Sequence, residues 1–396
     1  MTRRLYNEDS YVQSFHANVI SCVPHKENMY QVVLDRTAFF PEGGGQTSDT
    51  GMIGSVNVVD VRDKNEEIIH ITDGELQIGC EVEASINWEQ RFDKMQQHTG
   101  EHIVSGIMSE EHGLNNVGFH LNSEIVTMDF DNVLTREQIN ELEIKANEAV
   151  YANIPIVVSY PSKEELEHIS YRSKIEIEGQ VRIVQVGKYD ICACCAPHVG
   201  MTGEIGLIKF TDVQNHRGGI RITMKCGKRG LLDYQEKMTS VRNIGSLLSA
   251  KENAVIESVE RLKEEVQNHK SNNWELQNHL VIYKAKEVRE KHGQEKLIFD
   301  TTLDVEHRRE LVNCLVPDMQ VVGVLTGDDE TGYQYIFGST VLDLRKIGKE
   351  LNNRCNGRGG GKPTMVQGSI QATEEEIQDA FYEIIREHSV KSKEKS

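Results

Sequence analysis

Long hydrophobic runs are absent from this sequence of 396 residues. Nowhere do about 18 apolar residues follow one another, which is the length that a membrane-spanning helix needs. No apolar stretch follows the initial Met1-Thr2-Arg3-Arg4, so we expect no signal peptide, no membrane and a cytoplasmic protein. The eight cysteines are mostly isolated and lack the spacing of a disulfide framework. In a reducing compartment their thiols would stay free to bind metal.

Positive charge is also scarce. Lysine and arginine number 44 against 62 aspartate and glutamate residues, a formal net charge of −18 that argues against a general nucleic-acid binder. A local cationic stripe is still sufficient for RNA. Arg217, Arg221 and Lys225 are predicted to share one face of a strand, the alternative being an ordinary solvated edge. Arg358 and Lys362 lie in a glycine-rich loop that either approaches phosphate or makes a tight turn.

The string HTGEH at residues 98–102 places two histidines four residues apart. It lies in a segment with helical character, residues 92–108, where this spacing puts His98 and His102 on one face of a helix. The metalloprotease string HExxH is excluded, because position 99 is threonine. Alone, such a pair is more often a surface or core pair than a metal site.

The string CCAPH at residues 194–198 changes that balance. It puts Cys194 four residues before His198, and three thiols fall within residues 192–195, which is hard to explain by packing. His98, His102, Cys194 and His198 together form a ligand set typical of tetrahedral zinc. Cys192 and Cys195 are alternative thiol ligands.

These strings resemble those of the alanyl-tRNA editing proteins of the AlaX type, long form, which are related to the editing and C-terminal domains of alanyl-tRNA synthetase. That family has an HxxxH string and a later CxxxH string followed by valine, as here. Residues 34–51 resemble the glycine-rich segment that precedes the editing domain. Residues 357–363, GRGGGKP, resemble the closing motif of the DHH-associated C-terminal domain. The resemblance runs from about residue 35 to about residue 369.

Two departures from the family pattern bear on selectivity. Cys195-Ala196-Pro197 replaces the Gly-Gly-Thr that the family places between the ligands, and proline has no amide hydrogen to donate. Glu101 stands where the synthetase version tends to have threonine. We expect metal binding to tolerate both changes, whereas the choice of amino acid is sensitive to them.

The resemblance implies a zinc-dependent hydrolase, with one zinc per chain, that deacylates tRNA(Ala) mischarged with serine or with glycine. Glu101 is then the candidate general base, against the alternative of a solvated helix glutamate. Thr37 and Gln46 are candidates for lining the substrate pocket. Two other functions stay open: a zinc-stabilised tRNA-binding protein without hydrolysis, and a deacylase for a different aminoacyl-tRNA. A phosphoesterase is not expected, because no Asp-His-His string occurs.

Patterning along the chain predicts an α+β multidomain protein in four parts. Residues 1–90 alternate in short runs between glycine-rich turns, which is typical of a small β-barrel. Residues 91–230 mix helices, one of them begun by a capping box at Thr135 and Gln138, with strands around the zinc site, as an α+β editing domain. Residues 297–390 form a small C-terminal α/β domain of the DHH-associated type.

The third part, residues 231–296, has apolar residues at spacings of four and three, which favours a helical hairpin or a coiled coil. Ser271-Asn272-Asn273 would be the turn of the hairpin. The alternative is one long helix that dimerises. A homodimer through this arm or through the C-terminal domain is therefore a candidate assembly, beside tRNA(Ala) as a partner.

Overall fold

A computed structural model describes residues 1–26, 28–173, 179–291, 293 and 295–393. The chain divides into two units, Met1–Asn243 and Ile244–Ser396. Sheets and helices occur in both units, and the prediction of a mixed α+β multidomain protein is confirmed. Among the described residues, no helix combines the length and the apolar character needed to cross a membrane.

The first unit begins with a closed barrel of six strands in the order β2-β3-β7-β6-β5-β8. Its interior holds apolar side chains that are almost fully buried, among them Phe39, Ile53 and Ile68. The elements of this region are β1 (Arg3–Arg4), α1 (Leu5–Glu8), β2 (Ser14–Pro24), β3 (Tyr30–Leu34), β4 (Arg36–Thr37), β5 (Gly51–Ile53), β6 (Val56–Lys64), β7 (Glu67–Thr72) and β8 (Glu81–Ile86). Strands β1 and β4 pair separately as a short parallel ladder.

The rest of this unit packs around one buried helix. A four-stranded sheet has the order β14-β15-β10-β9, and a three-stranded sheet the order β11-β12-β13. The elements are α2 (Trp88–His112), β9 (Asn116–Leu121), β10 (Val126–Phe130), α3 (Arg136–Tyr151), β11 (Ile156–Ser159), α4 (Lys163–Leu166), β12 (Ile183–Val186), β13 (Asp190–Ala193), β14 (Ile208–His216), β15 (Gly219–Cys226) and α5 (Gly227–Leu247). A short 3-10 turn, Thr202–Ile205, lies between β13 and β14.

Helix α2 carries both histidines of the first string, and its ends are defined by local chemistry. The Asn87 side chain accepts a hydrogen bond from the Gln90 amide at 3.2 Å, as an N-cap does. Gly113 closes the helix in the left-handed conformation. Gly106 permits a close approach, because a Cβ there would overlap the Tyr189 carbonyl oxygen. The start of β13 can therefore pack directly against α2.

The second unit is built on a five-stranded sheet in the order β16-β17-β18-β20-β19. On one face of it, Tyr335 and Phe337 of the sheet share an apolar core with Phe381 and with aliphatic side chains. The elements are α6 (Val255–Glu290), β16 (Glu295–Phe299), α7 (Val305–Leu315), β17 (Val321–Asp328), β18 (Gly332–Gly338), α8 (Leu344–Arg354), β19 (Arg358–Lys362), β20 (Met365–Ile370) and α9 (Glu374–Lys393).

The predicted hairpin turn at Ser271-Asn272-Asn273 is wrong, because helix α6 continues through it. The break in the helical region lies earlier, between the end of α5 at Leu247 and the start of α6. Val259, Leu262 and Val266 belong to the apolar pattern of spacings four and three, yet they are about half exposed, at 47%, 47% and 45%. The two units divide the predicted arm at residue 243, and the division into four domains stays a prediction, as does the homodimer.

Candidate metal centre

The two metal-binding strings come together in the first unit. His98 and His102 project from α2, while Cys194 and His198 lie in the loop after β13. One donor atom from each of the four lies within 4.8 Å of the others. The Cys194 Sγ is 3.7 Å from Nε2 of His98 and 3.4 Å from Nε2 of His198. The three imidazoles are buried.

Each imidazole is held at its Nδ1 atom by a different partner. His98 Nδ1 lies 2.9 Å from Oε1 of Gln46, and His198 Nδ1 lies 3.0 Å from Oγ1 of Thr99. His102 Nδ1 lies 2.8 Å from Oδ2 of Asp190. Such contacts fix the tautomer and orientation of histidines that ligate metals. They leave all three Nε2 atoms directed to the shared space.

The Asp190 carboxylate is itself held in place. Arg172 donates from Nε to Oδ1 at 2.7 Å and from a terminal nitrogen to Oδ2 at 3.0 Å. Because Asp190 is 5% exposed, this pairing compensates a buried negative charge. Asp190 and Arg172 therefore orient the His102 ring, one directly and the other through Asp190.

Burial and neighbouring charges set the protonation of the donors. Burial alone would raise the pKa of Cys194, but the nearby imidazoles of His98 and His198 outweigh it and hold that pKa well below its usual range. Burial lowers the pKa of His198 to about 3. Burial also opposes a charge on His102, yet hydrogen bonds to Asp190 and Cys194 raise its pKa well above the usual value. Metal binds the thiolate and neutral imidazoles, so the proton that this raised pKa keeps on His102 must be released when a metal binds.

The donor set fits zinc in spacing as well as in chemistry. Tetrahedral zinc with bonds of about 2.0–2.1 Å to nitrogen and about 2.3 Å to sulfur separates its ligand atoms by roughly 3.3–3.6 Å. The two sulfur–nitrogen distances around Cys194 lie close to that range. These residues are therefore candidate metal ligands compatible with zinc.

The alternative thiols occupy other places. Cys192 is buried beside His102 and Asp190, and burial raises its pKa to about 11. Cys195 is exposed and is not among the four donors that converge. Among the described residues, Cys194 is thus the thiol that completes the set with three histidines.

The glycine-rich turn Gly43–Gln46 reaches this cluster. The position of a Cβ on Gly44 would lie 4.0 Å from Cε1 of His98. Arg91, fully buried on α2, donates from Nε to Asp49 at 3.0 Å, and Asp49 accepts from the Phe40 amide at 2.7 Å. This buried ion pair ties both ends of the turn to the helix that carries His98.

Glu101 is buried rather than solvated. It is 2% exposed, and its Oε1 accepts hydrogen bonds from Ser105 and Asn116, each at 2.7 Å. Its Oε2 lies 4.0 Å from Nε2 of His102, the nitrogen directed to the shared space. The structure therefore places this carboxylate at the edge of the donor cluster.

Of the two residues predicted to line the substrate pocket, Gln46 contacts the donor cluster and Thr37 does not. Gln46 contacts His98, and its Nε2 is buried without a hydrogen-bond partner among the described residues. Thr37 is fully buried and bonds to His70 Nε2 at 2.8 Å and to the Phe39 amide at 3.1 Å. Because its hydroxyl is occupied inside the barrel, Thr37 has no surface to offer a substrate.

The predicted cationic stripe is only partly formed. Arg217 lies outside β15, in the turn before it, with a φ of 48°, so it does not share the strand face. Arg221 forms a bidentate ion pair with Asp129 at 2.6 and 2.7 Å, and Lys225 pairs with Asp233 at 2.7 Å. The charges of Arg221 and Lys225 are therefore largely neutralised by ion pairs within the protein. Arg358 and Lys362 begin and end β19, whose residues are all exposed.

Several residues of the site belong to no sequence motif. Arg182 donates to the carbonyl oxygens of Cys194 and Ala196 at 2.7 and 3.0 Å and so shapes the ligand loop. Asp190 lies 88 residues from His102 in sequence, and Arg172 precedes Asp190 by 18. A carboxylate two residues before a cysteine-rich string was the one signal available for Asp190.

Three family models match parts of the chain. They are described as tRNA synthetases class II (A), at residues 9–90, threonyl and alanyl tRNA synthetase second additional domain, at 181–223, and DHHA1 domain, at 314–388. Two of the three models are thus described by aminoacyl-tRNA synthetases. The second model includes Cys194 and His198.

The chain is similar along nearly its whole length to freestanding editing proteins. Alanyl-tRNA editing protein AlaX-L of Pyrococcus horikoshii is 27% identical over 98% of this chain and 99% of that protein. Alanyl-tRNA editing protein Aarsd1-A of Xenopus laevis is 26% identical over 91% of this chain and 92% of that protein. The alanine–tRNA ligase of Pyrobaculum aerophilum is 30% identical, with 96% of this chain matching 44% of the ligase. The resemblance to the alanyl-tRNA editing proteins is therefore confirmed.

Proposed function

We propose that this chain is a trans-editing hydrolase that deacylates tRNA(Ala) carrying serine or glycine. The observation that carries the proposal is the convergence of His98, His102, Cys194 and His198 beside a buried glutamate. The end-to-end similarity to proteins named for alanyl-tRNA editing supports the choice of substrate. An aminoacyl ester is already activated, so positioning and charge stabilisation supply most of the catalysis.

Zinc held by the four donors would either activate a water or bind the α-amino group of the substrate. The protein's own residues provide the rest. Glu101, whose Oε2 lies 4.0 Å from His102 Nε2 and whose Oε1 accepts hydrogen bonds from Ser105 and Asn116, is the carboxylate that accepts a proton from the attacking water. Asp190 and Thr99 keep the Nε2 atoms of His102 and His198 directed inwards.

Gln46 is the residue we assign to the substrate. Its Oε1 is committed to His98 Nδ1, which leaves the buried Nε2 to donate to an oxygen of the bound amino acid. A buried donor left unpaired costs about 1–3 kcal/mol. A seryl hydroxyl can satisfy it, whereas an alanyl methyl cannot, which is the favourable direction of discrimination.

Binding of the tRNA body is assigned to the second unit. Arg358 and Lys362 stand on an exposed strand of three consecutive glycines, where backbone amides can approach phosphate. With a net charge of −18, such a local site is the means by which the chain would attract RNA.

One observation favours a second function. Four protein ligands complete a tetrahedral set and leave no open position, as in structural zinc sites. On that ground the chain would be a zinc-stabilised tRNA-binding protein without hydrolysis. Deacylation of a different aminoacyl-tRNA is the remaining alternative.

The deciding experiment incubates the zinc-replete protein with seryl-, glycyl- and alanyl-tRNA(Ala) and follows ester loss, with zinc content measured in parallel. We expect loss of the seryl or glycyl ester with the alanyl ester spared. Tight tRNA binding without loss of any of the three esters would favour the non-hydrolytic function. Serine attached to its own tRNA, tRNA(Ser), is the matched control for tRNA identity.

A further inference from the structure

Arg308 on α7 is a buried cation whose charge is not paired. It is 4% exposed, and its Nε donates to the Asp304 carbonyl oxygen at 3.3 Å. Its terminal nitrogens have no hydrogen-bond or ion-pair partner among the described residues. The two carboxylates whose charges act on it are engaged elsewhere: Asp300 pairs with Lys284. The Asp304 carboxylate accepts a hydrogen bond from the His307 amide at 2.9 Å. Because burying an unpaired charge is costly, this arrangement indicates that an anion belongs beside Arg308.

Arg308 lines a cavity of about 220 Å³ between α7 and the sheet of the second unit. Gln334 of β18 and Gln367 of β20 also line it, and both are exposed. A second cavity, of about 720 Å³, shares Gln334 as a lining residue and reaches Arg358 and Ser369. The unpaired guanidinium therefore faces a space that has room for a phosphate group and is bordered by exposed polar side chains.

The strand register places the polar residues of both cavities on one face of the sheet. Gln334 pairs with Ser369, which in turn pairs with Arg358 on the edge strand β19. Alternate residues of a strand share a face, so Lys362 lies on the same face as Arg358. Ile336, two residues after Gln334, packs into the core that includes α7. This face is therefore the one on which α7 lies.

Helix α7 brings two arginines to this face. Arg309, the neighbour of Arg308, donates to Oε1 of Gln367 at 2.7 Å, so this part of α7 lies beside β20. Together with Arg358 and Lys362, the face carries four positive charges in a chain whose formal net charge is −18. A ligand that presents several phosphates in a row matches such a series of cations.

We infer that Arg308 binds a phosphate group of the tRNA backbone in the smaller cavity, and that the RNA continues across the sheet face towards Arg358. This inference rests on the proposed binding of tRNA by the second unit and deepens it, because it adds a buried contact to the exposed ones. The planar guanidinium can donate from both terminal nitrogens to two phosphate oxygens. The contact is ionic, and no covalent bond forms or breaks.

The test measures how the zinc-replete full chain binds uncharged tRNA(Ala), by fluorescence anisotropy at several salt concentrations. R308Q should weaken the Kd about tenfold, as expected for the loss of one charged hydrogen-bonded contact. It should also lower the slope of log Kd against log salt by about 0.7–0.9, the value for one phosphate contact. R345Q is the matched control, because Arg345 is exposed, pairs with Asp343 and lies on α8, which packs on the other face of the sheet. Its Kd and slope should equal those of wild type.

A second variant leaves the buried arginine in place. Q334E puts a carboxylate on the exposed wall that the two cavities share, where it can pair with Arg308 and repel phosphate. We expect a weaker tRNA Kd in Q334E as well, with the melting temperature of the protein unchanged. If folded R308Q and Q334E both bind tRNA within twofold of wild type and with its salt slope, the inference is wrong.

Inorganic phosphate, titrated calorimetrically into wild type and R308Q, separates the two sources of a phosphate group. Binding by wild type alone, with the tRNA Kd unchanged in R308Q, would assign the cavity to a free phosphate compound and overturn the RNA contact. Ester hydrolysis by wild type is followed separately. Hydrolysis with no effect of R308Q or Q334E on tRNA binding would refute the inference alone. Weakened tRNA binding by both variants, with no hydrolysis of any ester by wild type, would refute the proposed hydrolase and support the contact.

Discussion

Replacing Asp190 by asparagine should weaken zinc binding without removing a ligand. The Asp190 carboxylate holds His102 Nδ1 at 2.8 Å and is held in turn by two hydrogen bonds from Arg172. Asparagine keeps the size of the side chain but removes the charge that strengthens both contacts. Loss of such a partner typically costs about 10–100-fold in metal affinity, which corresponds to about 1.4–2.7 kcal/mol.

The assay is a competition between the purified protein and a chromophoric zinc chelator, read as the zinc Kd of wild type and D190N. D129N is the matched control, because Asp129 also forms a bidentate ion pair with an arginine, Arg221, but contacts no donor of the cluster. We expect the D129N value to equal that of wild type. A folded D190N protein whose zinc Kd stays within twofold of the control would refute the orienting role of Asp190.

The other predictions concern the ligands, the base and a buried histidine of the barrel. Alanine at Cys194 or His98 should abolish both stoichiometric zinc and ester hydrolysis, as measured by metal analysis and deacylation; normal activity of a metal-free sample would contradict this. E101Q should lower kcat by about 10²–10⁴-fold with zinc retained, and a kcat within threefold of wild type would make Glu101 structural. Burial lowers the pKa of His70 to about 4, so its contribution to stability is present above pH 6.5 and lost towards pH 4. H70N should therefore lose about 3 kcal/mol less free energy of unfolding between pH 7 and pH 4 than wild type, and equal losses in chemical denaturation would exclude His70 as the titrating group.

Local signals in the sequence predicted local structure well. Thr135 and Gln138 form the expected capping box, with the Gln138 amide 3.3 Å from Oγ1 of Thr135. The i, i+4 spacing of His98 and His102 puts both rings on one side of α2, because a helix repeats nearly every four residues. Strand β3, Tyr30–Leu34, lies within residues 1–90, where alternation in short runs predicted strands.

Sequence signals that correspond to small differences in free energy gave wrong predictions. Serine and asparagine at 271–273 suggested a turn, but each disfavours a helix by only a few tenths of a kcal/mol relative to its neighbours. Without proline or glycine, α6 continues through them. Arg217 was placed on a strand face by counting residues, yet the hairpin turn begins there with a positive φ. Turn geometry of this kind depends on the register of β14 with β15.

The orienting residues lay beyond sequence patterns altogether. Asp190 reaches His102 because Gly106 lets the start of β13 pack against α2, and neither residue belongs to a motif. Whether Thr37 or Gln46 faces the cluster depends on how the segment after β4 leaves the barrel. A buried ion pair between Arg91 and Asp49 fixes that path, and no spacing rule connects two residues 42 positions apart.

The anchoring of the three imidazoles explains how a site assembled from distant segments becomes a single rigid unit. Gln46 belongs to the glycine-rich turn, Thr99 to α2 and Asp190 to β13, and each holds one ring by Nδ1. A metal bound at the Nε2 atoms would therefore connect the turn, the helix and the strand through one centre. Because Gly44 is part of that turn and lies against the His98 ring, the position of the turn depends on how that ring is held. Metal binding and the position of the glycine-rich turn are consequently coupled through Gln46.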